Sequence, residues 1–185
     1  MKDIYLFRHG QTEWNLLHKM QGHRDIPLNE TGLIEARELH QKVSNVTKTL
    51  SSFAVYSSDL KRAHETCKIA LPHKNIILND QLREIDIGTM EGMSRSEINF
   101  DFQNPTPEFR FDGGESIKEH QDRIMNFVKK VVKQDSHEVI ILSTHGGTMA
   151  RFLEQCENYQ FKKINNCELV HVKYKNSKFH FIDYL

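Results

Sequence analysis

Net charge is missing from this sequence: 25 Lys and Arg balance 25 Asp and Glu over 185 residues, and the isoelectric point is near neutral. Without a basic surplus there is no long-range pull toward nucleic acid or anionic lipid, so any cationic site must be local. Long apolar runs are missing too. Segments such as Val139-Ile140-Ile141-Leu142 are far too short to cross a bilayer. The amino terminus enters strand-like sequence directly, without a signal-peptide pattern, which predicts a cytoplasmic protein with no membrane contact. Cys67, Cys156 and Cys167 form no C-x-x-C pair and cannot all pair with one another, and reduced structural thiols fit the same compartment. Despite eleven histidines, no H-x-x-x-H or H-E-x-x-H array occurs, so neither a metal nor another cofactor is called for. Repeats, linkers and low-complexity tracts are also lacking. The length suits one α/β domain spanning residues 1–185.

What is present alternates between strand and helix. Lys2 to Phe7 is a β-rich run ending at Arg8-His9-Gly10, where glycine permits a sharp turn. Leu33, Ala36, Leu39 and Val43 recur at helical spacing between Asn29 and Val43. Phe53 to Ser57 reads as a second strand. Ser57-Ser58-Asp59 then offers caps for a helix burying Leu60, Ala63, Cys67 and Ala70, and Asn75 to Leu78 reads as a third strand. From Leu82 to Glu115 the chain is irregular apart from a short helix opened by the Ser94-x-x-Glu97 capping box, and specificity is expected at about 93–115. Ser116-x-x-Glu119 opens a helix with Ile117, Ile124, Phe127, Val128 and Val131 as its buried stripe.

Glu138 to Ser143 reads as a fully buried strand leading into Thr144-His145-Gly146-Gly147 and a helix carrying Met149, Phe152 and Leu153. Glu168 to Tyr174 and Lys178 to Ile182, joined at Asn176-Ser177, read as a hairpin. The pattern predicts a three-layer αβα fold with a mainly parallel sheet and helices on both faces. Ligands bind such sheets at the carboxyl ends of the strands, where both His9 and His145 fall. Other histidines have plainer readings. His40, His64, His73, His120 and His137 lie among polar residues and read as solvated; His171 and His180 read as half-exposed strand residues.

Transfer of a phosphoryl group needs donors converging on its three charged oxygens. Arg8 offers a planar fork, and Thr12, Asn15 and amides near Gly10 add neutral donors. Arg62 is predicted in the first turn of its helix, where the exposed amides already make the environment positive; a bound phosphate removes that conflict, while Arg62 taken alone reads equally as an arginine snorkelling to solvent. Neutral His9 can attack phosphorus to form a phosphohistidine, while a protonated His145 stabilises the equatorial oxygens and Gly146 lets backbone approach the ligand. A carboxylic acid can protonate the leaving alkoxide: Glu84 is the first choice, with Asp86 and Glu91 as substitutes, although each of the three taken alone reads more readily as a surface carboxylate.

These motifs resemble, in order and over almost the whole chain, those of the histidine phosphatase superfamily, in the branch containing cofactor-dependent phosphoglycerate mutases and small-molecule phosphatases. The matching segments are Leu6-Phe7-Arg8-His9-Gly10-Gln11-Thr12-x-Trp14-Asn15, Gln21-Gly22, Leu28-x-x-x-Gly32-x-x-x-Ala36 and Ser57-Ser58-x-Leu60-x-Arg62-Ala63-x-x-Thr66. Glu84-x-x-x-Gly88-x-x-x-Gly92, Gly113-Gly114-Glu115-Ser116 and Thr144-His145-Gly146-Gly147 complete the set. The resemblance implies a phosphohistidine at His9, a phosphate pocket of Arg8, Arg62 and His145, and Glu84 as proton donor and acceptor. Asn15, Gln21 and Gly22 match positions lining that pocket.

The mutases of this family carry a longer insertion with paired arginines that grip the substrate carboxylate. Here Phe100 to Glu115 is compact and holds only Arg110, with Arg95 near the position of a mutase lysine, so a phosphatase similar to the α-ribazole phosphatases is favoured. Bisphosphoglycerate-dependent phosphoglycerate mutase activity is the alternative, and a phosphate-binding regulatory protein the non-enzymatic one. The expected partner is a small phosphorylated metabolite, and the protein is expected as a monomer or homodimer. Phe100, Phe102, Phe109 and Phe111, around Pro105 and Pro107, are expected to hold their loop onto the core. A sharper expectation makes some of these rings a wall for the substrate's alcohol portion.

Overall fold

The structure, a computed structural model, describes residues 1–98, 100 and 106–185. Strand β1 (Lys2–Arg8) leads through α1 (Glu13–Leu16) to α2 (Glu30–Thr47), then β2 (Ala54–Ser57), α3 (Lys61–Ala70) and β3 (Ile77–Leu78). After three one-turn helices at Asp80–Leu82, Gly88–Met90 and Arg95–Glu97 come α4 (Ile117–Gln134), β4 (Val139–Thr144), α5 (Gly146–Leu153), β5 (Leu169–Lys175) and β6 (Lys178–Tyr184). The strands form one sheet in the order β3-β2-β4-β1-β5-β6. The first four are parallel, and β5 and β6 are added antiparallel. The predicted αβα layering is therefore present, with a mixed sheet whose antiparallel share is the terminal hairpin. Asn176 and Ser177, both at positive φ, turn that hairpin.

Period-two alternation divides the core. Ile4, Leu6, Ile140, Leu142, Val170 and Val172 face α4 and α5, whereas Phe7, Val55, Ile141 and Leu169 face α2 and α3. Every residue of β4 is buried, as a central parallel strand covered on both faces requires. Helix α2 buries Gly32, Ala36, Leu39 and Val43, leaving Leu33 only half-buried, and α4 buries the expected stripe. Fully burying an aliphatic side chain of this size contributes about 1.5–3 kcal/mol. No helix among the described residues is long and apolar enough to cross a membrane.

Several local expectations need correction. No side chain of Ser57-Ser58-Asp59 caps α3. Its first amide, at Lys61, instead donates to Asp25 at 2.7 Å, while Asp59 pairs with Arg83. Strand β3 is shorter than expected, and α1 has no counterpart in the expected pattern. His120 is not solvated: it is 1% exposed and packed within α4, with Nε2 3.0 Å from Thr148 Oγ1. The Phe100, Phe109 and Phe111 rings do cluster, at centroid distances of 4.3–5.5 Å, and join Ile85, Ile87 and Ile117 in a small apolar core. Phe102 and Pro105 lie outside the described residues.

Candidate active site

Three adjacent parallel strands deliver side chains to one edge. Arg8 is in register with Thr144 across β1 and β4, so the next residues, His9 and His145, emerge side by side. The His9 amide donates to the Thr144 carbonyl at 3.0 Å, and Ser58, just past β2, donates its amide to Ser143 at 2.9 Å. The edge thus presents His9, His145 and Ser58 in strand order.

A carbonyl oxygen can only accept, so the 2.7 Å contact between His9 Nδ1 and the Gly10 carbonyl puts the ring proton on Nδ1. The lone pair of the neutral ring is then on Nε2. Burial, reinforced by Arg62 and Arg8, holds His9 well below the ordinary imidazole pKa despite the opposing Gly10 bond. Gly10 itself has no room for a side chain, since a Cβ there would stand 2.5 Å from the Gly32 carbonyl. Asn166, which sequence patterns do not single out, donates to the His9 carbonyl at 2.9 Å from the loop before β5.

His145 is fully buried, and its Nε2 lies 2.9 Å from Ser58 Oγ. Ser58 Oγ already accepts from the Leu60 amide, so its own proton can go to Nε2, leaving the imidazole proton on Nδ1. That Nδ1 has no protein partner. Burial, Arg62, His9 and Arg8 all push the His145 pKa down. These surroundings favour the neutral imidazole over the protonated form expected, and with the Ser58 hydroxyl donating to Nε2 the Nδ1 proton can be offered to an anion.

The two arginines are held by backbone carbonyls. Arg62, fully buried, donates through Nη1 to Arg24 at 2.7 Å and through Nη2 to Gly22 at 2.8 Å. Burial pushes its pKa down to about 10, opposed by Glu84 and Asp25, which leaves it charged at neutral pH. Arg8 donates through Nη1 to the Ile164 carbonyl at 2.8 Å, and burial lowers its pKa against the pull of Glu84 and Glu35. In both guanidiniums Nε is buried without a partner.

Glu84 reaches the amino end of α5. Its Oε2 accepts from the Gly147 amide at 2.8 Å, its Oε1 accepts from the Ile85 amide at 3.0 Å, and Oε1 lies 3.3 Å from the Thr148 hydroxyl. A Cβ on Gly147 would stand 2.4 Å from Glu84 Oε1, and one on Gly146 would stand 3.3 Å from Arg8 Nε. The two glycines thus let the carboxylate and the guanidinium flank one helix terminus.

Other expected site residues take different places. Thr12 is fully buried and its hydroxyl is engaged as the α1 cap, accepting from the Asn15 amide and lying within 3.1 Å of Asn15 Oδ1 and Gln21 Oε1. It therefore supports Asn15 and Gln21 rather than offering a free donor. Gly22, at φ +52, contributes its carbonyl to Arg62. Arg110 turns away from the expected role: it pairs with Glu119 and donates to the Gly114 carbonyl, fastening the irregular segment to α4. Arg95 lies exposed in its one-turn helix, its amide bonded to His18. Asp86 lies 3.8 Å from His23, and Glu91 pairs with Arg24 at 3.3 Å, so Glu84 alone of the three acids bonds to the α5 terminus. Among the described residues no group of three or more His, Cys, Asp and Glu forms a metal-binding cluster.

Comparison with known proteins follows the same pattern. Residues 4–184 match the model of the histidine phosphatase superfamily (branch 1). The chain is similar to phosphoglycerate mutase-like protein 4 of Arabidopsis thaliana, 35% identical over 164 residues that cover 83% of this chain and 70% of that protein. It is also similar to PhoE of Bacillus subtilis, described as an uncharacterized phosphatase, at 31% identity over 190 residues covering 100% and 94%. In structure it resembles a mutant phosphoserine phosphatase from Entamoeba histolytica in complex with phosphoserine, with a TM-score of 0.82 at 26% identity over 100% and 96% of the two chains. With these likenesses and this site, the chain belongs to the histidine phosphatase superfamily, and its activity lies within that family's phosphatase and mutase chemistry.

Proposed function

We propose that this protein is a metal-independent phosphomonoesterase acting on a small phosphorylated metabolite through a phosphohistidine on His9. The observation that carries this is a set of three buried polar atoms without protein partners, Arg8 Nε, Arg62 Nε and His145 Nδ1, which come from three separate segments around an imidazole with its Nε2 lone pair available. Buried donors are ordinarily satisfied, and a phosphate group supplies three acceptors at once. In the first step His9 Nε2 attacks phosphorus, the ester P–O bond breaks, and Glu84 protonates the departing alkoxide. In the second, Glu84 takes a proton from water, the water oxygen attacks phosphorus, and the N–P bond breaks to release inorganic phosphate. The two arginines and His145 stay in place for both steps, so little reorganisation accompanies the movement of charge.

Hydrolysis rather than mutase chemistry is favoured because Arg110 is committed to Glu119 and Gly114, not left to grip a substrate carboxylate. The mutase alternative draws on the name of the Arabidopsis relative. The buried, free cysteines suit a cytoplasmic setting. A panel of phosphoserine, sugar phosphates, aryl phosphates and α-ribazole phosphate, run beside a phosphoglycerate mutase assay, tests the proposal. Release of inorganic phosphate from at least one alkyl ester is expected. Isomerisation of phosphoglycerate faster than any hydrolysis would establish the mutase instead, and binding without turnover would leave only the regulatory alternative.

A further inference from the structure

Glu84 sits in a stretch that belongs to no strand and only partly to one-turn helices, so its backbone needs partners from elsewhere. Thr144 Oγ1 donates to the Leu82 carbonyl at 2.6 Å, Thr148 Oγ1 to the Arg83 carbonyl at 2.8 Å, and His23 Nε2 lies 2.9 Å from the Glu84 carbonyl, but one side chain reaches three carbonyls of the stretch together. Arg123, on α4, donates through Nη1 to the carbonyls of Gln81 at 2.8 Å and Arg83 at 3.1 Å, and through Nη2 to the Glu84 carbonyl at 3.1 Å. Its Nε and Nη2 also make a two-pronged pair with Glu115, both at 2.7 Å. Glu115 Oε2 accepts in turn from the Asp86 amide at 2.9 Å. The pair therefore grips the chain on both sides of Glu84, at the carbonyls of 81, 83 and 84 and at the amide of 86. Arg123 and Glu115 are largely buried, with side chains 13% and 20% exposed, and carry opposite charges.

We propose that Arg123, locked by Glu115, is a positioning residue for the proton transfer carried out by Glu84. The proposal rests on the assignment of Glu84 as acid and base given above. Proton transfer demands a donor within hydrogen-bond reach of the leaving oxygen, and a misplacement of about 1 Å can cost about 10²-fold in rate. Arg123 touches no reacting atom in this scheme. Lysine cannot replace its planar fork, which spans a carboxylate and three carbonyls together.

Leaving-group chemistry separates positioning from general support. An aryl ester such as p-nitrophenyl phosphate leaves without a proton, whereas an alkyl ester needs one. kcat/KM reports only through the first irreversible step, and because the active-enzyme concentration cancels, the ratio of its values for the two esters on one preparation is independent of how much protein is folded. Glu84→Gln is expected to lower kcat/KM on the fastest alkyl ester of the panel about 10²-fold more than on the aryl ester. Arg123→Met and Glu115→Gln are expected to move the same ratio in the same direction, by about tenfold for Arg123→Met and less for Glu115→Gln, with Arg123→Lys failing to restore it. Equal losses on both esters in Arg123→Met, with the split intact in Glu84→Gln, would overturn the positioning role and leave the Glu84 assignment standing. If Arg123→Met does not fold, Glu115→Gln decides the same question by the same ratio. Absence of the split in Glu84→Gln would overturn the acid assignment, and the proposal with it.

Discussion

The imidazole rings of His9 and His145 stand with centroids 5.2 Å apart and planes at 60°, each one residue beyond the end of one of two hydrogen-bonded parallel strands. Strand pairing brings the two residues side by side. Each ring then has a separate partner, the Gly10 carbonyl for His9 and the Ser58 hydroxyl for His145, which gives two chemically identical side chains different free nitrogens. In the proposed reaction one supplies a lone pair and the other a proton.

His9→Ala is expected to abolish turnover on every ester. Rapid-quench labelling should trap acid-labile phosphohistidine in the natural protein and none in the variant. Label on another histidine, or comparable turnover in the variant, refutes the assignment of the nucleophile.

Arg62→Ala removes a preorganised donor and should lower kcat by about 10²–10³, a loss of about 2.7–4 kcal/mol in transition-state stabilisation. It also leaves the Gly22 and Arg24 carbonyls without their partner, which should destabilise the fold by about 1–3 kcal/mol. Both effects are measurable in one preparation by steady-state kinetics and urea unfolding. A variant with unchanged kcat places Arg62 outside the reaction.

Inorganic phosphate should stabilise the protein by filling the three unpaired donors. At about a hundredfold excess over its dissociation constant the gain is about 2.7 kcal/mol, readable as a rise in the unfolding midpoint. Arg62→Ala should respond far less. An equal rise in that variant would place the anion elsewhere.

Stability should fall as pH drops through the ordinary histidine range. Burial keeps His9, His120 and His145 neutral when folded, with pKa values well below that of a solvated imidazole. Once unfolded, the same side chains take up protons below about pH 6.5, so the unfolded state binds more protons there and gains on the folded one. Each histidine contributes a slope of about 1.4 kcal/mol per pH unit below that point. His120→Gln should remove about one proton's worth of slope between about pH 6.5 and 5 without touching the reacting groups. An unchanged slope would mean that His120 does not contribute.

Turnover should survive exhaustive chelation, because every group in the proposed reaction is a side chain. Activity lost on chelation and restored by one particular divalent cation would contradict the scheme.

The sequence exposes the two strand-end histidines because each follows an apolar run and precedes glycine, a local signal that strand geometry turns into proximity. Arg62 is legible for a similar reason, since it opens a helix just after a strand. His120 is misread because Lys118, Glu119, Gln121 and Asp122 surround it with polar neighbours; its spacing from Ile117 and Ile124 places it on the buried stripe. Asn166, the Asp25 cap of α3 and the Arg123 clamp have no local signature. Each is a bond between segments far apart in sequence, and only the folded chain brings the partners together. Thr12 shows the converse, a donor in the right motif whose hydroxyl is engaged at home.

Strand β1 has a parallel neighbour on one side and the antiparallel β5 on the other. An antiparallel neighbour brings its beginning to the edge where β1 ends, which is how Ile164 and Asn166 come to hold Arg8 and His9. His9 is thus held by a side chain 157 residues further along the chain, so its placement waits on the docking of β5 against β1.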